Sequence, residues 1–122
     1  MAATMMTFVA VAVAACGSSS SSSSASNTAV LGSAISQDCT AVSDALANGP
    51  DPDADSVGYA QAQVLPLRAL TISNATLHSD VLTLAAAYQA FSSGSGAGSA
   101  AAAAKVSKAE NAVNSICPQA AP

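Results

Sequence analysis

From residue 31 onward the large apolar residues recur at helical spacing, and each run ends at a turn signal. Leu31, Ile35, Cys39, Val42 and Leu46 stand 4, 4, 3 and 4 residues apart, a single stripe on one helix. Asn48-Gly49-Pro50 closes this ladder. Gly or Asn can take the left-handed position after a helix, and Pro cannot continue one. Beyond Asp51–Ser56 a second ladder runs Val57, Ala60, Val64, Leu67, Leu70. Pro66 lies within it and should either kink the helix or mark its start. The third ladder is the clearest: Leu77, Val81, Leu84, Tyr88, Phe91. These two ladders fit one long bent helix from about 55 to 92, or two helices broken around Ile72–Ala75. Ser92–Gly98 is a loop, with five residues of Ser or Gly before its Ala97-Gly98 end. Ser99 is a capable N-cap for a last helix whose stripe is Val106, Ala109, Val113 and Ile116, with Pro118 as its stop. No stretch alternates β-branched and polar residues. The expected fold is therefore all-α, a small antiparallel helical bundle of three or four helices.

Ahead of these ladders the pattern is different. Residues 1–15, MAATMMTFVAVAVAA, include an uncharged apolar stretch from Phe8 to Ala15, about the length of a signal-peptide core. A transmembrane helix needs ~20 apolar residues, so this one is too short to span a bilayer. Cys16 follows Val13-Ala14-Ala15 and precedes Gly17 and seven serines, Ser18 to Ser24. Over residues 8–24 the chain resembles a bacterial lipoprotein precursor, whose lipobox is an aliphatic residue, two small residues and Cys. The resemblance implies a diacylglyceryl thioether on Cys16, cleavage between Ala15 and Cys16, and acylation of the new amino terminus. Such signals carry Lys or Arg near their start and residues 1–7 carry none, which leads us to expect a translation start upstream of Met1. The expected organisation is a signal peptide over 1–15, a lipidated Cys and Ser-rich tether over 16–27, and a helical bundle domain over 28–122. A Gly/Ser tether of about this length reaches roughly 17–20 Å.

Composition narrows the chemistry. Of 122 residues, 31 are Ala and 20 are Ser, while Trp is absent and charged residues make up 8%. There is one His (His78), one Glu (Glu110), one Arg (Arg68) and two Lys (Lys105, Lys108). Three basic residues against seven acidic ones, for a net charge of −4, argue against a nucleic-acid partner. No phosphate-cradling glycine motif is present. Asp51, Asp53 and Asp55 imitate the start of a calcium loop, but Ser56 stands where Gly is needed and Ala62 where the bidentate Glu would be. Helix capping is the better reading of these acids. His78 has Asn74 and Leu82 as its helical neighbours and reads as a surface residue, not a haem or metal ligand. Asn74-Ala75-Thr76 is a glycosylation sequon that the bacterial resemblance discounts. Tyr88 and Phe91 are expected in the core. No catalytic, cofactor-binding or metal-binding set is assigned.

Cys39 and Cys117 remain in the domain. Export would place them where disulfides persist, and a core this poor in large side chains would gain from a bridge. Two buried free thiols are the alternative. In an ideal bundle the two cysteines sit about 15 Å out of register, at ~1.5 Å per residue from their adjacent turns. A bridge therefore requires the first helix to be shifted or the chain to fold over at Pro66.

The expected function is a non-enzymatic binding or accessory module. It would be held on the outer face of the cytoplasmic membrane by its lipid anchor, with an envelope protein or an apolar ligand as partner. The alternative is a carrier holding a lipid, haem or other apolar ligand within the bundle. That reading requires an apolar cavity of roughly a few hundred Å³.

Overall fold

The structure, a computed structural model, describes residues 23–120. Among them it is all-helical: α1 (Ser23–Leu46), α2 (Ser56–Ala69), α3 (Ala75–Ser92) and α4 (Ala100–Ile116). Residues 1–15, expected as a signal peptide, and Cys16 lie outside the described residues. The described part of α1 begins at Ser23, where the described residues themselves begin. The second and third ladders are two separate helices, parted by Leu70–Asn74. Pro66 is not a helix start. It lies inside α2, near its C-terminal end, and the helix continues to Ala69.

Local chemistry explains the boundaries. Asp55, Asn74 and Ser99 cap α2, α3 and α4, accepting from Gly58 N at 2.8 Å, Leu77 N at 2.9 Å and Ala102 N at 3.2 Å. Each cap satisfies a donor that the helix itself leaves free, worth about 1 kcal/mol. After α1 the chain turns through Gly49 at φ 127°. A Cβ there would also stand 3.0 Å from Gln63 Nε2, so two constraints select glycine at this position.

The helices run up and down. Tyr59 in the first turn of α2 meets Tyr88 near the end of α3, and Tyr88 in turn reaches Glu110 on α4. The α2–α3 and α3–α4 interfaces carry most of the packing. Val42, Leu67, Leu77, Val81, Leu84, Tyr88 and Val113 fill the core. Between them Ala45, Ala60, Ala85 and Ala109 are buried, and their small side chains let the helix axes approach closely.

Among its described side chains, α1 joins this core through the C-terminal part. No residue from Gly32 to Gln37 is buried, whereas Asp38, Val42, Ala45 and Leu46 are. Asp38 reaches the turn between α2 and α3, where it accepts from Ser73 N at 3.1 Å and Asn74 N at 2.9 Å. At the other end Tyr59 OH donates to Leu46 O at 2.8 Å. This displacement of α1 toward the α2–α3 turn removes the register mismatch between the two cysteines. Cys39 and Cys117 are disulfide-bonded, with Cα atoms 5.4 Å apart.

The buried Asp38 carboxylate spends its oxygens on backbone amides, so its desolvation is offset only while that turn stays in place. We expect Asp38→Ala to cost about 2 kcal/mol, read as a lower urea midpoint at unchanged slope. Asp38→Asn, which keeps one acceptor, should lose less. A midpoint for Asp38→Ala equal to that of the parent would remove this clamp from the account of how α1 docks.

Candidate functional site

The aromatic side chains of the bundle converge on one place. α2 contributes Tyr59, α3 contributes Tyr88 and Phe91, and α4 contributes Val106 and Glu110 to a cleft of about 160 Å³. On α4 the spacing of Ala103, Val106, Ser107 and Glu110 puts all four on one face, so a single helix supplies the whole third wall. The two tyrosine rings pack edge to face, with centroids 5.9 Å apart and planes at 89°. This arrangement sets the positive edge of one ring against the negative face of the other. The two hydroxyls have different acceptors: Tyr59 OH donates to the Leu46 carbonyl, Tyr88 OH to Glu110 Oε1 at 2.9 Å.

Burial pushes the Tyr88 hydroxyl well above the ordinary tyrosine range, and the facing Glu110 charge pushes it further. Tyr59 is raised too, first by burial. Both phenols therefore stay protonated at neutral pH and act as hydrogen-bond donors, not as bases or nucleophiles. The site offers three aromatic rings and one half-buried carboxylate, and none of its lining residues is cationic.

The raised values carry a pH consequence. An unfolded tyrosine loses its proton near the ordinary value of 10.0, whereas folded Tyr88 holds it at higher pH. The stability linked to this proton is full below pH ~10 and is lost as pH rises above it. The chain has two tyrosines and no Trp. Tyrosinate absorbance on alkaline titration should therefore appear together with loss of helix. A tyrosine titrating near 10 in a chain that is still folded would contradict the burial.

Gln63 was not singled out by the sequence pattern. It is fully buried one turn after Tyr59, and its Nε2 donates to the Asn48 carbonyl. Its Oε1 finds no hydrogen-bond partner among the described residues. Tyr59 and Gln63 each immediately precede a member of the second ladder, Ala60 and Val64. That adjacency is the signal that would have placed them on the buried face.

The remaining candidates separate. Cys39 and Cys117 are brought together, while Cys16 lies outside the described residues. His78 is exposed on α3. Asp55 caps α2, and Asp51 Oδ1 accepts from Asp53 N at 2.9 Å, so two of the three loop acids serve backbone amides. Among the described residues no three His, Cys, Asp or Glu side chains are grouped to hold a metal ion. Nor is any described helix long and apolar enough to cross a membrane. Two open grooves flank α1: one of about 400 Å³ beside the disulfide and the Pro118 tail, one of about 350 Å³ against the Gly49–Pro52 loop. Comparison with protein-family models, curated proteins and solved structures finds no match to this chain.

Proposed function

We propose that the chain is an envelope lipoprotein whose helical domain serves as a non-enzymatic binding or accessory module. Cys16 carries the lipid, the serine run that follows spaces the domain from the headgroups, and the domain stands on the outer face of the cytoplasmic membrane. Its partner is an envelope protein or an apolar ligand. The observation that supports this reading is the Cys39–Cys117 disulfide. Structural disulfides belong to oxidising compartments outside the cytosol, where a lipobox would deliver the chain. A diacylated cysteine also supplies two acyl chains, enough for stable anchoring where a single chain is marginal.

The carrier alternative draws less support. The cleft between α2, α3 and α4, at about 160 Å³, is too small for haem or a lipid tail, and the two larger grooves beside α1 are open and carry Ser43 with Asp44 or Asp51 in their walls.

Intact-mass spectrometry of protein extracted from native membranes tests the proposal. The expected species begins at an acylated Cys16 and loses the mass of two hydrogens through the Cys39–Cys117 bridge. Mature protein that still begins at an unmodified Met1 would overturn it.

A further inference from the structure

We propose that the cleft formed by Tyr59, Tyr88, Phe91 and Glu110 binds a small organic cation, an alkylammonium or quaternary ammonium head. The proposal goes beyond the lipoprotein reading and does not depend on acylation of Cys16.

Composition makes the convergence informative. The chain contains two Tyr, two Phe and one Glu. Both tyrosines, one phenylalanine and that single glutamate line one cleft. In so Ala-rich a chain, aliphatic residues could have closed this position without a carboxylate. A neutral apolar ligand gains nothing from Glu110, and an anion would be repelled by it. A cation is attracted by the carboxylate and by the electron-rich aromatic lining.

Geometry supports the same ligand class. Tyr88 OH holds one carboxylate oxygen at 2.9 Å, which fixes the orientation of Glu110. No Lys or Arg lies among the lining residues, so no side chain of the cleft neutralises that charge. Lys105 and Lys108 lie on other faces of α4 and are exposed. Size then limits the ligand. A cavity of about 150 Å³ accepts benzene, so a cleft of about 160 Å³ has room for a trimethylammonium or similar head.

Intrinsic fluorescence gives a direct test, because with no Trp in the chain all tyrosine emission comes from Tyr59 and Tyr88. The full chain, held in a non-ionic maltoside detergent, is titrated with tetramethylammonium chloride against sodium chloride at equal ionic strength. Tert-butanol serves as the neutral probe of similar shape. We expect a saturable change with tetramethylammonium, a Kd of about millimolar order, and none with sodium or tert-butanol. Glu110→Gln preserves an acceptor for Tyr88 OH and should weaken binding by roughly tenfold. Ser107→Lys adds a positive charge at the exposed rim and should weaken it several-fold, with the melting temperature unchanged. The proposal is overturned by the absence of a saturable response, by an equal response to tert-butanol, or by Glu110→Gln that binds as the parent does. Lipidation is read separately by mass, so this failure would leave the lipoprotein proposal standing.

Discussion

Replacing Cys39 and Cys117 together by serine is expected to destabilise the domain by about 4 kcal/mol. The bridge closes a loop across a sequence separation of 78 residues, nearly the whole helical region, so the unfolded chain regains much freedom once it is cut. Small domains are stable by about 5–15 kcal/mol, so this loss is a large fraction of the total. For a domain of about this size it corresponds to a fall of roughly 15–30 °C in Tm. The damage should not be uniform. Among the described side chains of α1, the buried ones lie between Asp38 and Leu46, and the disulfide sits at one end of that segment. In the double serine variant the amides of α1 should lose hydrogen-exchange protection before those of α3, which packs on both α2 and α4. Thermal unfolding followed by circular dichroism, alongside the parent in reducing agent, gives the magnitude. A fall of only a few degrees would show that helix packing alone holds α1, and that the bridge is dispensable.

The register of α1 also shows where sequence reasoning stops. Leu77, Val81, Leu84 and Tyr88 could be placed on one buried stripe from spacing alone, because burial of aliphatic and aromatic side chains follows helix periodicity. Caps were legible for the same local reason: Ser99 and Asp55 act on amides three residues away. Asp38 was not legible. Its partners are 35 and 36 residues distant, and nothing in the first ladder marks an acid that will be buried against a turn. The same holds for the cleft. Tyr88 could be assigned to the core, but its hydroxyl contact with Glu110 spans 22 residues and depends on how α3 and α4 face each other. Sequence spacing reports which face of a helix is buried. It does not report which polar groups meet there, since that is decided by tertiary register. The disulfide stood between these cases, with composition favouring it and ideal bundle geometry opposing it. The displacement of α1 resolved the conflict.

Tyr88→Ala is expected to be the most damaging single substitution at the cleft, costing about 3–5 kcal/mol. The ring is 2% exposed and packs against Tyr59, so its removal leaves a void among side chains that cannot collapse to fill it. Neighbouring Leu84 is fully buried, and Ala85 is too short to reach into the gap. Tyr88→Phe separates the ring from its hydroxyl. It keeps the volume and the edge-to-face contact, and removes the bond to Glu110. Glu110 is half-buried and can recover water, so the loss should be about 1 kcal/mol. Leu65→Ala serves as the surface control. That side chain is 75% exposed on α2, and its truncation should change stability by no more than about 0.5 kcal/mol. Urea midpoints for the three variants measure the ordering. If Tyr88→Phe cost as much as Tyr88→Ala, the hydroxyl–carboxylate bond would dominate this site and ring burial would be secondary. The cleft would then be held by its polar contact, and Glu110→Ala, which removes the acceptor, would be expected to destabilise the bundle about as much as Tyr88→Ala.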